Sequence, residues 1–473
     1  MALPTILVNS ATGSDTAASG AGPGTALTGA AGVSAADGLS VDLSADAPDL
    51  TGVAIDGSHV LFFNDTNAGS RNFAKITGAD NGTKIVTVSD AVRASQTKAW
   101  AIGGKRSAIG TTLSEKLFDN NGAAGDAMPG WTVEMESGHA ETIAATFDCR
   151  RAGTTALGPI TLKGTSGAAT RPILTFSNNG NAIVQRGNYQ VFKDFDMVNT
   201  NATKTASVAL VPGPAAIGLY QSIKVSDSTN KFWKAVVDTL DGHIYKDCEF
   251  GYCASIGVDL QTGITNSPVL INNWIHDCGS HGITASNLNA VGYFIYGNLL
   301  TNNVGDGFRD NCASTSLISG PRVFMHNTCE GNDSDGLEIT AVNTNLRSFG
   351  GLIIANNIFS NNGAYGINFS GASVDATLLN AFGVQILNND FFGNGTAPSN
   401  PATINDVNSV TTDPTFTDSG SNDYSVGTNM KALGYPIGGT LNVGKGSSTK
   451  SYIDIGTAQR QEAAAGNSFF FVD

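Results

Sequence analysis

The sequence predicts an all-β fold: a single-stranded parallel β-helix, or solenoid, with a β-rich N-terminal region. Three observations carry this reading. Between residues 243 and 395 one unit returns, from "HIYKDCEFGYCASIGVDL" to a shortened "VQILNNDFFGNG". Asparagine recurs at fixed places within the unit. The chain of 473 residues has 57 glycines and only 14% charged residues, which suits strands and turns better than helices.

From the N-terminus, "ATGSDTAASGAGPGTALTGAAG" has few packing residues and reads as a loop-rich arm. "GLSVDLSADAPDLTGVAIDGSHVLFFND" supplies short strands and turns. "FAKITGADNGTKIVTVSD" reads as a hairpin, two alternating strands around an Asp-Asn-Gly turn. "AWAIGGKRSAI" gives one more strand. Residues 1–125 are therefore expected to form an N-terminal arm and a small β-rich attachment region.

Solenoid texture begins near residue 126. Ile160, Leu162, Ile173, Leu174, Ile183, Val191, Phe192 and Phe195 supply apolar positions of early coils, and "TASVALVPGPAAIGLYQSIKVSDSTNKFWKAVVD" is expected to project from them. The regular coils are anchored on Gly257, Gly282, Gly307, Gly336 and Gly366, spaced 25, 25, 29 and 30 residues apart. A period in this range with short, alternating runs rich in Ile, Val and Phe excludes helical repeats. One coil cannot bury its own apolar face, so coils must stack.

The register follows from those glycines. Nine positions before each stand Cys248, Asn273, Asn298, Asn327 and Asn357. Four before stand Cys253, Cys278, Asn303, Asn332 and Asn362. Stacked amides at a bend can bond one another and the backbone, so these asparagines read as structural ladders. The residue after each glycine, from Val258 to Ile367, points inward. The next column, Asp259, Thr284, Arg309, Glu338 and Asn368, is expected to point out. The β-helix is expected over residues 126–400, and residues 401–473 read as a closing segment. The final "SFFFVD" implies a subunit or capping contact.

The formal net charge is −14, with no basic block, so nucleic-acid binding is not expected. No apolar run is long enough to span a membrane, and no secretory signal is visible. The six cysteines show no metal spacing and read as small buried residues; a Cys253–Cys278 disulfide is an open alternative.

The ladders and the "NNxIxxNxxxGI" rhythm resemble the right-handed parallel β-helices of the pectate-lyase-like superfamily, bacteriophage tail spikes among them. The resemblance implies right-handedness, a homo-oligomer (a trimer in tail spikes), a virion or otherwise extracellular place, attachment to other virion proteins through the N-terminal region, and contact with host surface polysaccharide. A structural virion surface protein, tail spike or head-decoration fibre, is the first functional expectation. A glycoside hydrolase or lyase on the β-helix face is the alternative.

One cluster could carry chemistry. Asp306 and Asp335 share the column before the glycines, and Glu338 follows Arg309 in the outward column. Neighbouring coils lie about 4.8 Å apart, near the carboxylate separation of retaining glycosidases. Like charges so close push their proton affinities apart. Asp306, Asp335 and Glu338 are thus the candidate catalytic residues, with His281, Arg309 and Tyr365 as candidate substrate contacts. Two other readings stand beside this one: a structural turn, with Ca2+ held by the aspartates, and glycan binding without chemistry. No calcium loop or other cofactor motif is recognisable. Asp310 falls on an inward position and must be hydrogen-bonded inside or lie in a bent segment.

Overall fold

The structure, a computed structural model, describes residues 5–8, 10, 27–53, 55, 60–63, 73–89, 91–102, 105–106, 130–150, 152–156, 158–203, 205–213, 218–225, 227–229, 231–238, 243–261, 267–286, 292–311, 321–340, 351–370, 384–396, 406–421, 423–426 and 430. The fold is all-β, a right-handed parallel β-solenoid with an N-terminal antiparallel barrel. It divides into two compact units, Met1–Ile223 and Lys224–Asp473.

In the first unit the barrel occupies residues 27–102 and closes through six strands. The hairpin is present, pairing Phe73–Asp80 with Ile85–Val88. Val41, Leu61, Phe63, Ile76, Val86 and Trp100 form its core. Trp100 Nε1 donates to Asp46 at 2.8 Å, so the indole is paired although its ring is buried. The first strand does not belong to this barrel. Thr5–Val8 pairs in parallel with Thr132–Met135, so the barrel is inserted between two neighbouring solenoid strands. The stretch expected to project supplies ordinary coil strands instead: Val208–Val211 lies on Asn181–Gln185, and Gly218–Gln221 lies on Gln190–Lys193. Its alternating apolar residues outweigh its length.

The second unit stacks its strands into three sheets. The first contains Val269–Ile271, Tyr293–Tyr296, Arg322–Met325 and Leu352–Ala355. The second contains Trp274–His276, Leu299–Thr301, Thr328–Glu330 and Ile358–Ser360. The third contains Ile283–Ser286, Phe308–Asn311, Leu337–Thr340 and Ile367–Ser370. Leu270, Ile295, Phe324 and Ile354 of the first sheet, and Ile275, Leu300, Cys329 and Phe359 of the second, are fully buried. Phe324, Phe359 and Phe391 stack with centroids 6.2 and 5.5 Å apart, continuing the interior along the axis.

Two amide ladders run along the coils. Asn273, Asn298, Asn327 and Asn357 each pass a side-chain N–H to the next Oδ1, at 2.9 to 3.1 Å, ending on Asn389. Asn303, Asn332 and Asn362 do the same and end on Asn394. The residue before each ladder position is left-handed: Asp247, Asn272, His326, Asn356 and Asn388 have φ of 51–58°. This explains the Asn-Asn doublets. The first asparagine tolerates the left-handed turn, and the second bonds between coils. The anchoring glycines have a different reason, close approach. A Cβ on Gly307 would stand 2.7 Å from the Gly336 carbonyl oxygen, and one on Gly282 2.7 Å from that of Gly307.

The outward column is covered at one end. Asp259 and Thr284 are buried, at 4% and 6% exposure. Lys234 bonds Asp259 Oδ2 at 2.5 Å, and Thr284 donates to Asp259 Oδ1 at 2.8 Å, so this end is covered by its own polar partners. Asp310 is inside: it accepts from Tyr293 at 3.0 Å and pairs with buried Arg322 at 3.4 Å. The five described cysteines carry free thiols, Cys253 and Cys278 included. Cys312 and the final phenylalanines lie outside the described residues. The described part of the closing segment packs Val426, Met430, Val410 and Phe416 against Ile358 of the second sheet. Among the described residues no helix is long and apolar enough to cross a membrane.

Candidate functional site

The third sheet brings the charged residues of three successive coils together. His281, Asp306 and Asp335 precede its glycines, and Arg309 and Glu338 are paired neighbours on its outer face. One oxygen from each of Asp306, Asp335 and Glu338 lies within 4.8 Å of the others. Side-chain exposure ranks them by access. Asp306 is 2% exposed, Glu338 14%, His281 18% and Arg309 38%. Glu338 and Arg309 therefore meet solvent, while Asp306 lies beneath.

Each carboxylate has distinct partners. Asp306 Oδ1 accepts the Asp335 amide at 3.0 Å. Asp306 Oδ2 lies 3.0 Å from His281 Nδ1, and that nitrogen also lies 3.0 Å from the Asp306 amide. Nδ1 cannot accept the amide proton and donate to the carboxylate at once, so the His281 tautomer decides which of the two bonds forms. Arg309 Nε bonds Glu338 Oε2 at 3.0 Å, and its Nη1 reaches His281 Nε2 at 3.4 Å. Ser370 donates to Glu338 Oε1 at 2.8 Å. Asp335 accepts from the Tyr365 amide and Asn368, each at 2.9 Å.

These surroundings separate the proton affinities. Burial opposes ionisation of Asp306, but hydrogen bonds from His281, the Asp335 amide and Ser334 hold its carboxyl below the usual value. Burial pushes Glu338 up, with the Asp306 charge and a shared Asp306 hydrogen bond adding to it against Ser370 and Arg309. Burial also raises Asp335, against the donors Asn368 and Tyr365. The surroundings thus move two neighbouring carboxyls in opposite directions, Glu338 up and Asp306 down. The same three carboxylates offer oxygen ligands to a hard cation such as Ca2+.

Tyr365 reaches the cluster through its backbone amide, and its side chain is half-buried. Of the other aromatic residues of these coils, Tyr293 and Tyr296 are buried at 1% and 4% exposure. Trp274 and Tyr252 are half-buried on or beside the second sheet, where Trp274 stacks on His276 at 3.8 Å. Ser370 was missed in the sequence. Its one signal was register, two strand positions beyond Asn368 and one coil after Thr340.

Residues 219–391 match a family model described as "Right handed beta helix region". No curated protein matches the chain. Among solved structures, it is similar to the pectate lyase Pel9A at 16% identity, over 70% of this chain and 88% of that one, with a TM-score of 0.47. It is also similar to tailspike protein 2 of bacteriophage CBA120, enzymatically active domain, at 10% identity over 76% and 52% of the chains, with a TM-score of 0.40. The A-module of the Azotobacter vinelandii mannuronan C-5 epimerase AlgE4 gives 12% identity over 59% and 85%, with a TM-score of 0.36. At this level of likeness a shared fold does not imply a shared activity. Residues 219–391 thus form a right-handed β-helix region, in keeping with the three parallel sheets of the coils.

Proposed function

We propose that this protein acts on a polysaccharide, and that the chemistry lies on the outer face of the third sheet. The supporting observation is the clustering of Glu338 and Asp306, with oxygens within 4.8 Å of one another, burial raising the Glu338 carboxyl and hydrogen bonds lowering that of Asp306. Glu338, the more exposed of the two, donates its proton to the leaving glycosidic oxygen. Asp306 stays ionised below it and stabilises the oxocarbenium-like charge, and water then adds to the anomeric carbon, its proton returning to Glu338. Asp335 fixes the Tyr365 and Asn368 side of the site. Arg309 and His281 face outward and position sugar oxygens. Ser286, Asn311, Thr340 and Ser370 add half-buried hydroxyl and amide groups along the same face. The net charge of −14 suits an uncharged glycan better than a polyuronate.

An extracellular place, at a host surface glycan or on a virion, accords with this reading, as does attachment through the N-terminal region; a purely glycan-binding tail-spike role is its rival. Incubation with capsular and O-chain polysaccharides separates cleavage from binding. The wild type is expected to release new reducing ends. Glu338→Gln should lower the rate by about 10²–10⁴, and Asp306→Asn should move the profile to lower pH by relieving the charge that holds the Glu338 proton. Binding without new reducing ends, or full cleavage by Glu338→Gln, would remove the catalytic reading.

A further inference from the structure

On the second sheet the outward positions of the later coils are buried. Trp274, Leu299, Thr328, Ile358 and Asp390 stand in one column, alternating with the inward Ile275, Leu300, Cys329, Phe359 and Phe391. Trp274 is half-buried, whereas Leu299 is 8% exposed and Thr328, Ile358 and Asp390 are fully buried. The cover is the chain's own closing segment. The backbones of Thr417 and Ser425, and of Asp418 and Asp423, are hydrogen-bonded, which folds the segment into a hairpin. Val410, Phe416, Val426 and Met430 pack on Ile358, and the Tyr424 hydroxyl meets Thr301 and Asn302.

The hairpin leaves from a last short coil. Asp406–Val407 pairs with Ile386–Leu387. Ser409 Oγ accepts the Asn389 amide at 3.1 Å, and the Val410 backbone bonds Asn389 O and the Phe391 amide at 2.8 and 2.9 Å. Two residues on, the Thr412 amide donates to Asp390 Oδ1 at 2.9 Å. Asp390 Oδ2 is buried with no hydrogen-bond partner among the described residues. The one charge from the described residues that acts on Asp390 is that of Asp413, on the departing segment. The other carboxylate of this coil, Asp406, accepts from Ser409 Oγ. A neutral carboxyl suits such a place, whereas an ionised one leaves a charged oxygen buried beside a like charge. Burial accordingly pushes Asp390 up to about 7, against the Thr412 and Phe391 amides and with Asp413 adding to it.

We propose that Asp390 is a pH-operated latch for the closing hairpin: the neutral carboxyl holds the hairpin on the second sheet, and ionisation lets it lift from Leu299, Thr328 and Ile358 while the coils stay stacked. The architecture favours a local opening. The hairpin joins the solenoid through one short last coil, whereas each regular coil is bonded to its neighbours in three sheets. Lifting returns Asp390 to water, where it ionises near its ordinary 3.8. The closed state holds the raised carboxyl, so its contribution to closure is complete below 3.8. It then weakens by about tenfold per pH unit and is lost as pH rises through about 7. The second sheet is thus sealed in acid and bares an apolar stripe at neutral pH.

Met430 reads the opening, because its thioether is fully buried between the closing segment and Ile358. Hydrogen peroxide moves one oxygen onto that sulfur and leaves water, and the thioether has no proton of its own to lose. The full chain is treated with peroxide at pH 5 and pH 8, and the sulfoxide is measured by peptide mass spectrometry. Met197, at 1% exposure, is the control. Met430 should oxidise faster at pH 8 by about tenfold or more, and Met197 equally at both. Asp390→Asn keeps an acceptor for the Thr412 amide and cannot ionise, so its Met430 rate should stay at the pH 5 value. Asp406→Asn should keep the wild-type rise. Equal Met430 rates at the two pH values, a rise that survives Asp390→Asn or vanishes in Asp406→Asn, or a parallel rise at Met197 overturns the proposal. If Asp390→Asn does not fold, the wild type and Asp406→Asn still decide it by the same comparisons.

Discussion

Removing one rung of the first ladder isolates what holds the coils in register. The Asn327 side chain accepts the Asn298 amide and Asn298 Nδ2 at 2.8 and 3.0 Å. It donates to Ile295 O and Asn357 Oδ1, both at 3.1 Å. It is fully buried. In Asn327→Ala, Asn298 Nδ2 keeps its bond to Leu270 O, and Asn357 Oδ1 keeps the residue 327 amide. The Asn298 amide and the Ile295 carbonyl lose these side-chain partners. Each stranded group costs about 1–3 kcal/mol, so the variant should lose about 2–6 kcal/mol. Asn327→Leu fills the space but restores neither partner and should not rescue it. The assay is guanidinium unfolding by circular dichroism, with exchange of the Asn298 amide as the local reading. Coils couple mainly to their neighbours, so the amide should exchange faster even where global unfolding is not two-state. A loss below about 1 kcal/mol with unchanged exchange would refute the ladder reasoning.

Two further outcomes concern stability. Gly307→Ala should destabilise by about 1–3 kcal/mol in the same assay, because the new Cβ must displace the Gly336 carbonyl oxygen of the next coil. Asp390 is fully buried and its carboxyl is pushed up to about 7 by burial, against bonds from the Thr412 and Phe391 amides and with Asp413 raising it further. A raised carboxyl favours the folded state when protonated. Its contribution is therefore complete below the ordinary value near 3.8 and is lost as pH rises through about 7. Asp390→Asn should melt higher than wild type at pH 8 and close to it at pH 4; equal melting temperatures at pH 8 would contradict the assignment.

The repeat was legible because each coil needs the same few things at the same places. Glycine marks close approach, asparagine the shared bend, and apolar residues the interior. These placed His281, Asp306 and Asp335 in one column, and Arg309 beside Glu338, from spacing alone. What repetition does not encode was not legible. "TILV" at residues 5–8 has no column of its own, so its pairing with Thr132–Met135 left no trace. Asp310 stood out as misplaced, but its partner Arg322 comes from another sheet. The burial of Asp259 and Thr284 depends on Lys234, which lies before the first regular coil. The order of access within the cluster, with Asp306 beneath Glu338, required side-chain positions.

Carbon-13 NMR titration of the carboxyl groups, assigned with Glu338→Gln and Asp306→Asn, tests the proposed chemistry most directly. Glu338 should hold its proton above its ordinary 4.5 while Asp306 ionises below 3.8. Ordinary titration of both groups, or the reverse order, would show that this face lacks the acid and its ionised neighbour.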